Sequence, residues 1–560
     1  MAGDIEELAR KYALQNAVEH GGRANAGPVI GKVMAAAPDW RLKPGEVGEA
    51  VNTTVSEVNA LSLDAQRDEL ERLAPELLVK EKKEKVHELP DLEGAEGGVV
   101  MRLAPNPSGP LHIGHTRMAI LNDIYVKRYG GRLIVRMEDT NPPTILPEAY
   151  DLILKDLDWL GVEYHEVVNQ SSRFQIYYDH AMKLLEGGNA YMCGCPSDDW
   201  RAAKEQGMAC PCRDAGPRDN LGLWERMLAG EYKPGEMSMI VKTDLNHPNP
   251  AVRDFVALRL VGEPHPLTGD EFRVYPLYNY SVAIDDHLMG MTHVLRGKDH
   301  LNNTLRQEYV YEHLGWTKPH FHHYGWVSIE DTELSTRKIR AAIEEARYSG
   351  WKDPRLGTVA ALERRGIQPE AIRQYWIDVG IKGVDIRFSW ENLYAYNKDI
   401  VDPGAKRYFF VWDPKTVSIT GTDVLESHAP LHPEHQEMGT RVTQLSGDPI
   451  HVKAVAGDIQ ALPPDTRVRF KDLCNTLSGE PGIFSYAGNE LSFIKEGAKI
   501  IHWVGPDAVQ AKVLMPDGKL IEGLAEKAAL DSLGEVVQFE RFGFVRLEPG
   551  DEIEAYFAHQ

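Results

Sequence analysis

The chain has 560 residues, 42% of them hydrophobic and 26% charged, with a formal net charge of −22. That is enough length for several hydrophobic cores and an ordinary balance for a water-soluble globular protein. No apolar run approaches the roughly 18 residues that cross a bilayer, and no basic stretch followed by an apolar one opens the sequence, so a cytoplasmic protein without membrane attachment is expected. The five cysteines are too few for a disulfide scaffold. An acidic chain repels nucleic acid at long range, but salt screens that field over about 8 Å, so a local basic face can still bind RNA.

Residues 1–80 carry helical stripes: Ile5, Leu8 and Tyr12 in one, and Val58, Leu61, Leu63, Leu70, Leu73, Leu77 and Leu78 in another. They are expected as a helical N-terminal extension, followed by a charged, glycine-ended linker over 81–98. From Val99 the texture becomes strand and helix. An apolar strand (Val99, Val100, Met101, Leu103) runs into a loop forced by Pro105, Pro107, Gly109 and Pro110. His112-Ile113-Gly114-His115 then opens a helix, and a second strand covers Leu133 to Met137. Strand, loop, helix, strand is the start of a nucleotide-binding unit whose helix N-terminus offers N–H groups to phosphate. The two histidines stand where they can donate to charge developing on a phosphoryl oxygen.

This stretch resembles the HIGH motif of class I aminoacyl-tRNA synthetases. Its flanks, R-x-A-P-x-P-x-G before and R-x-E-D-T-N-P after, are similar to the glutamyl/glutaminyl branch, and the likeness extends from Val99 to the C-terminus. It implies an ATP site at Pro110, His112, Gly114 and His115. Mg²⁺ would arrive with ATP, since no carboxylate cage for a protein-held ion is legible.

The first half of the Rossmann-type catalytic domain is expected over 99–190, with amphipathic helices at Ala149 to Leu160 and Phe174 to Glu186. An insertion over 191–257 interrupts it. There Cys193-Gly-Cys195 and Cys210-Pro-Cys212 are separated by fourteen residues, and four soft thiolates so spaced suit a structural, tetrahedral zinc with no open position for water. The resemblance places this insertion near the acceptor end of tRNA. The second half of the fold is expected over 258–340, where a strand ending at Val294-Leu295 delivers Arg296 to the ligand-binding edge of the sheet. Glu333-Leu334-Ser335-Thr336-Arg337-Lys338 resembles the mobile KMSKS loop that closes on ATP. It departs from the pattern in having Thr336 where lysine is usual, so Ser335, Arg337 and Lys338 are its expected ATP contacts, with the phosphate-touching cation left open between the last two.

A helical stem-contact domain is expected over 341–402. Short strands then follow at 407–412, 416–420, 451–455, 467–470, 491–494, 499–503, 510–514 and 536–547. They argue for antiparallel β-barrels over 403–560, which the resemblance makes anticodon-binding and of the archaeal type. Their aromatics Tyr408, Phe410, Trp412 and Phe544 alternate as core residues do.

The reaction that the resemblance implies is activation of glutamate by ATP, then transfer to the 3′-terminal ribose of tRNA-Glu, at the 2′-hydroxyl. Positioning and electrostatics must supply the rate, because neither step needs an enzyme nucleophile. By family position Arg102 and Arg296 meet the side-chain end of the amino acid, Glu138 its α-amino group, and Tyr278 shapes the pocket. Glutamate and glutamine are nearly isosteric, so charge must separate them, and Arg296 speaks for glutamate. A glutaminyl enzyme and a catalytically silent tRNA-binding relative are the competing readings; tRNA-Gln as a second acceptor stays open, and a monomer is expected.

Overall fold

The computed structural model describes residues 2–37, 40, 43–77, 88–460 and 462–560. They fall into two compact units that divide between His87 and Glu88. The first unit holds four helices, α1 (Ala2–Glu19), α2 (Ala26–Ala36), α3 (Pro44–Asn59) and α4 (Leu63–Leu73). Ala9, Ala13 and Ala17 repeat every four residues along α1 and are all buried, so a small-residue face meets the valines Val29, Val33, Val47, Val51 and Val58. Of the expected leucine stripe, Leu70 enters this core, Leu61 and Leu77 flank it, Leu73 is exposed, and Leu78 lies outside the described residues.

Residues 81–87 of the expected linker also lie outside the described residues, whereas 88–98 depart from that reading. Leu89, Leu92 and Ala95 are buried in the core of the second unit. The Tyr125 hydroxyl donates to the Pro90 carbonyl and Arg128 to the Leu89 carbonyl. The charges there hid three apolar residues that enter the core.

The second unit begins with β1 (Val99–Leu103), α5 (Ile113–Tyr129) and β2 (Gly131–Met137), with β1 parallel to β2 in the register Val99 to Gly131 through Leu103 to Val135. After α6 (Ala149–Trp159), β3 (Glu166–Asn169) adds parallel to β2, and α7 (Phe174–Glu186) follows. The insertion is a four-stranded antiparallel sheet of β4 (Ala190–Cys193), β5 (Ser238–Val241), β6 (Phe255–Leu260) and β7 (Val274–Pro276). Between its first two strands lie α8 (Ser197–Glu205) and α9 (Pro217–Leu228). The expected boundary at 257 therefore falls inside β6, because β6 and β7 pair from Leu258 to Leu260.

The parallel fold resumes with α10 (Tyr278–Leu288), β8 (His293–Gly297), α11 (Leu301–Leu314) and β9 (His320–Tyr324). The Thr292 N–H donates to the Val100 carbonyl, so β8 starts beside β1, and the carboxyl ends of both strands reach the same edge. That edge is where open α/β sheets receive ligands. Then come α12 (Thr336–Glu344), α13 (Val359–Arg365), α14 (Pro369–Val379) and α15 (Trp390–Val401).

Two seven-stranded barrel-like sheets complete the chain. Strands 414–420, 450–455, 467–470, 474–478, 483–486, 499–501 and 503–504 build one; 407–408 and 410–412 join 509–559 in the other. The second barrel thus encloses the first in chain order. The expected strand at 491–494 is instead a short helix, Ser492–Lys495. The run 536–547 is two strands folded back at Arg541, whose φ is +63°. Tyr408 and Phe410 are buried in the core of the second barrel, Trp412 packs at the edge of both cores, and Phe544 is buried outside them with Val401, Ala405 and Ala558. Among the described residues no helix is long and apolar enough to cross a membrane.

Candidate active site

Adjacent positions on a helix point about 100° apart, and α10 uses this to aim two buried carboxylates in different directions. Asp286 accepts from Arg102 Nε at 2.9 Å and Nη2 at 3.3 Å, and from Arg136 Nη1 at 2.7 Å. Asp285 accepts from Tyr177, Gln170 and Arg173 at 2.6–2.9 Å. One turn of helix therefore ties β1, β2 and α7 together. Arg136 also reaches Glu138 at 3.4 Å, and the Glu138 N–H donates to the Pro105 carbonyl, which straps the proline-rich loop to the end of β2. Burial pushes the Glu138 carboxyl up to about 7, against the pull of Arg136 and Arg102.

Arg296, 4% exposed, stands apart from this knot of charges. Its Nη2 donates to Thr304 and, at 2.9 Å, to Gln307, its Nη1 lies 3.4 Å from the Tyr278 hydroxyl, and its buried Nε has no partner. Every one of these protein neighbours is neutral. Its guanidinium also lies over the Phe321 ring at 4.9 Å.

Two cavities meet at the Tyr278–Arg296 contact. One, of about 420 Å³, is lined by Glu138, Gln170, Tyr278 and Asn279 together with Trp200, Lys204, Arg259 and Arg306. The second, of about 670 Å³, is lined by His112, Gly114, His115, Arg296, Trp326 and Leu334 among others. The rings of His112 and His115 stack with centroids 3.6 Å apart. Burial pushes His112 down to about 2 and His115 to about 4, with mutual repulsion adding at His112. Both are neutral at pH 7. Gly114 N–H donates to Nδ1 of His112 and His112 N–H to Nδ1 of His115, so each imidazole carries its proton on Nε2. Two Nε2–H donors are the result.

Pro110 is buried ahead of this helix start, whose backbone pairs with Gly357 and Val359 through Ile113 N–H and the Leu111 carbonyl. Leu334 lines the second cavity, and Ser335, Arg337 and Lys338 follow it at the exposed N-terminus of α12. Glu333 holds Lys338 at 3.2 Å, whereas Arg337 has no ion-pair partner among the described residues. Arg102, for its part, lines neither cavity.

The four cysteines come together. All four Sγ atoms lie within 4.8 Å of one another, with Cys193 to Cys210 at 3.8 Å and Cys195 to Cys212 at 3.6 Å. A metal–sulfur bond of about 2.3 Å puts the edges of a sulfur tetrahedron near 3.8 Å, so the donor set fits a tetrahedral ion. Burial raises the thiols of Cys193 and Cys195, and only a cation would hold four of them as thiolates.

Residues 98–403 match the family described as tRNA synthetases class I (E and Q), catalytic domain. The chain belongs to that family. Residues 405–480 and 500–548 of the synthetase match two families described as anti-codon binding domains of the same class. It is similar over its whole length to curated glutamate–tRNA ligases. The one from Thermoplasma volcanium is 47% identical over 99% of this chain and 100% of its own, and that from Methanocaldococcus jannaschii 48% over 98% of each. The Pyrococcus furiosus relative is 47% identical over the full length of both chains. Among solved structures, a glutamate–tRNA synthetase from Elizabethkingia anophelis aligns with 54% of this chain and 70% of its own, at a TM-score of 0.40 and 23% identity.

The synthetase's site also contains residues that motif reading passed over. Arg136 lies in an apolar strand buried on both faces, and Asp285-Asp286 in an apolar helix, so each charge demanded a partner. That demand was the available signal. Trp200, Lys204 and Arg306 gave none, because only folding brings the insertion and α11 to the cavity.

Asp286→Asn leaves two buried arginines short of their counter-charge. The expected loss is about 3–5 kcal/mol, read as a lower urea midpoint for the catalytic domain's unfolding transition.

Proposed function

We propose that the chain is a glutamate–tRNA ligase, which activates L-glutamate with ATP to glutamyl-adenylate and transfers the glutamyl group to the 3′-terminal ribose of tRNA-Glu. The observation that carries the substrate choice is Arg296, a buried guanidinium with an unpartnered Nε and only neutral hydrogen-bond partners. A γ-carboxylate supplies the missing charge, whereas a glutamine amide turns N–H groups toward N–H groups. Arg102, expected to share this task, has Nε and one N–H of Nη2 committed to Asp286, which leaves Nη1 and the second N–H of Nη2 for a ligand. Its role in this reading is to hold the pocket's shape and add positive potential. Glu138 takes the α-ammonium group, and Tyr278 packs between the two ends of the amino acid.

This placement sets the α-carboxylate at the junction of the two cavities, facing the α-phosphorus of ATP. The Nε2–H groups of His112 and His115 donate to the non-bridging oxygens as charge grows during attack, and neutral imidazoles do so without being deprotonated at physiological pH. Gly114 leaves room for the His112 ring, which a Cβ there would approach to 3.0 Å, and so lets the two imidazoles stack. Ser335 and Arg337 close from the α12 side, with Lys338 joining after release from Glu333. Mg²⁺ arriving on ATP screens the phosphates. Cys193, Cys195, Cys210 and Cys212 hold a structural Zn²⁺ whose work is to fix the insertion.

The decisive assay offers glutamate or glutamine with tRNA-Glu or tRNA-Gln. Glutamate on tRNA-Glu is the expected product, and charging of tRNA-Gln with glutamate would extend the acceptor range. Glutamine charging would overturn the reading. Arg296→Gln is expected to lower kcat/KM for glutamate by about two to four decades, since it removes the counter-charge of a buried carboxylate.

A pH profile follows from Glu138. Only its ionised form attracts the α-ammonium group, and in the free protein ionisation occurs at about 7. KM for glutamate is therefore expected to fall as pH rises through that value, and Glu138→Gln to raise KM and flatten the profile.

Elemental analysis of the purified protein is expected to find one zinc per chain. The double substitution Cys210→Ser and Cys212→Ser should abolish it, and should expose Cys193 and Cys195 to a thiol reagent that the native protein resists.

A further inference from the structure

Arginine donates and never accepts, and this fixes the polarity of the hydrogen bonds that lead away from Arg296. Gln307 meets Arg296 Nη2 at 2.9 Å, so the group it turns there is its carbonyl oxygen. Its Nε2 then points the other way and donates to Oδ1 of Asn279 at 3.4 Å. Gln307 is fully buried, and the reversed amide would set N–H against N–H. The chain of bonds therefore has one direction, from β8 through α11 to the first turn of α10.

The consequence falls on Asn279, which lines the 420 Å³ cavity with Glu138 and Tyr278. With Oδ1 committed to Gln307, its Nδ2 is left as a donor. Among the described residues nothing accepts from it, and it keeps accessible surface although Asn279 is only 8% exposed. A nearly buried amide with N–H groups to give marks a place for an acceptor. The amino acid brings two, its α-carboxylate and its γ-carboxylate. In the ligase reading the γ-carboxylate meets Arg296, and a single amide joins Arg296 to Asn279, so the two residues border the same end of the substrate.

We propose that Asn279 is a second specificity residue for the amino acid, its Nδ2 donating to the γ-carboxylate beside Arg296, and that Gln307 is the positioning residue that keeps this donor turned to the cavity. The proposal rests on the ligase reading given above and deepens its account of substrate choice. A free asparagine side chain can turn over, present its oxygen and accept from the amide N–H₂ of glutamine. Tied to Gln307 it cannot, because turning over would set its own N–H₂ against Gln307 Nε2. The charge of Arg296 thus acts in two ways. It attracts a carboxylate directly, and through one buried amide it bars an otherwise invertible neighbour from accepting glutamine.

The test measures kcat and KM for charging of tRNA-Glu with glutamate and with glutamine, in the wild type and in Asn279→Ala, Asn279→Asp and Gln307→Met. Asn279→Ala is expected to raise KM for glutamate about ten- to a hundredfold, the range for a lost hydrogen bond to a charged group, with a smaller change in kcat. Asn279→Asp turns an acceptor to the cavity, so it should cost glutamate more than Asn279→Ala does and raise kcat/KM for glutamine. Gln307→Met leaves Arg296 its charge and frees Asn279 to turn. It is expected to raise kcat/KM for glutamine by about two- to tenfold, the range for a neutral hydrogen bond, and adding Asn279→Ala should remove that gain. A merely structural role for Gln307 would lower both activities together, and that result would overturn its part in the proposal. An unchanged KM for glutamate in Asn279→Ala would overturn the whole. So would equal losses for the two amino acids in both Asn279 variants, which would give Nδ2 to the α-carboxylate. Should Gln307→Met fail to fold, the Asn279 variants decide. Failure of the ligase reading is a separate result, seen as wild-type protein that charges no glutamate.

Discussion

The pairing of Asp286 with Arg102 and Arg136 is the constraint on which the catalytic domain depends. Three fully buried charges are costly unless each finds a partner in good geometry, and here one carboxylate from α10 serves arginines on two neighbouring strands. Because α10 comes late in the domain and β1 and β2 early, the contact joins the two halves that the insertion separates. The same helix starts at Tyr278, two turns earlier, and so sets the wall of the amino-acid cavity. Structure and site are thus held by one interaction.

Charge is distributed unevenly among the three arginines near that cavity. Arg102 and Arg136 share Asp286, and Arg136 also meets Glu138 at 3.4 Å and Asp285 at 4.0 Å, which keeps the core stable when no ligand is bound. Arg296 is held by Thr304, Gln307 and Tyr278, groups that orient a guanidinium without cancelling it. Specificity for a charged substrate needs such an unanswered ion, and stability limits how many a core can hold. Glu138 shows the complementary device: burial lifts its carboxyl to about 7, so a cationic group that arrives beside it favours the ionised form.

Much of this was legible in residue order. The strand and helix of β1 and α5, the amphipathic α7, the delivery of Arg296 by β8 and the cysteine pairs all follow from local patterns whose physical meaning is local. What was not legible depends on distant partners. Leu89 and Leu92 lie in a charged segment, and only the pocket offered by Tyr125 and Arg128 makes them core. The segment 491–494 alternates like a strand yet has no ladder to join, and it closes as a turn of helix. Arg102 looked like a ligand-binding cation because nothing within its own strand reveals that Asp286 claims two of its nitrogens.

The enclosure of one barrel by the other in chain order bears on how the protein is made. A ribosome delivers every strand of the 414–504 barrel by Val504, so that barrel can form while the rest is still being synthesised. Its companion must wait, because Phe410 to Trp412 pair with Gly523 to Ala525, and Arg407 and Tyr408 with Gln538 and Phe539. The final strand then docks on the stem helices: Asn397 meets His559, and Arg365 donates to the Ala558 carbonyl. Docking of that strand is thus the step that joins the barrels to the stem helices, and it can follow only after both barrels' earlier strands are in place.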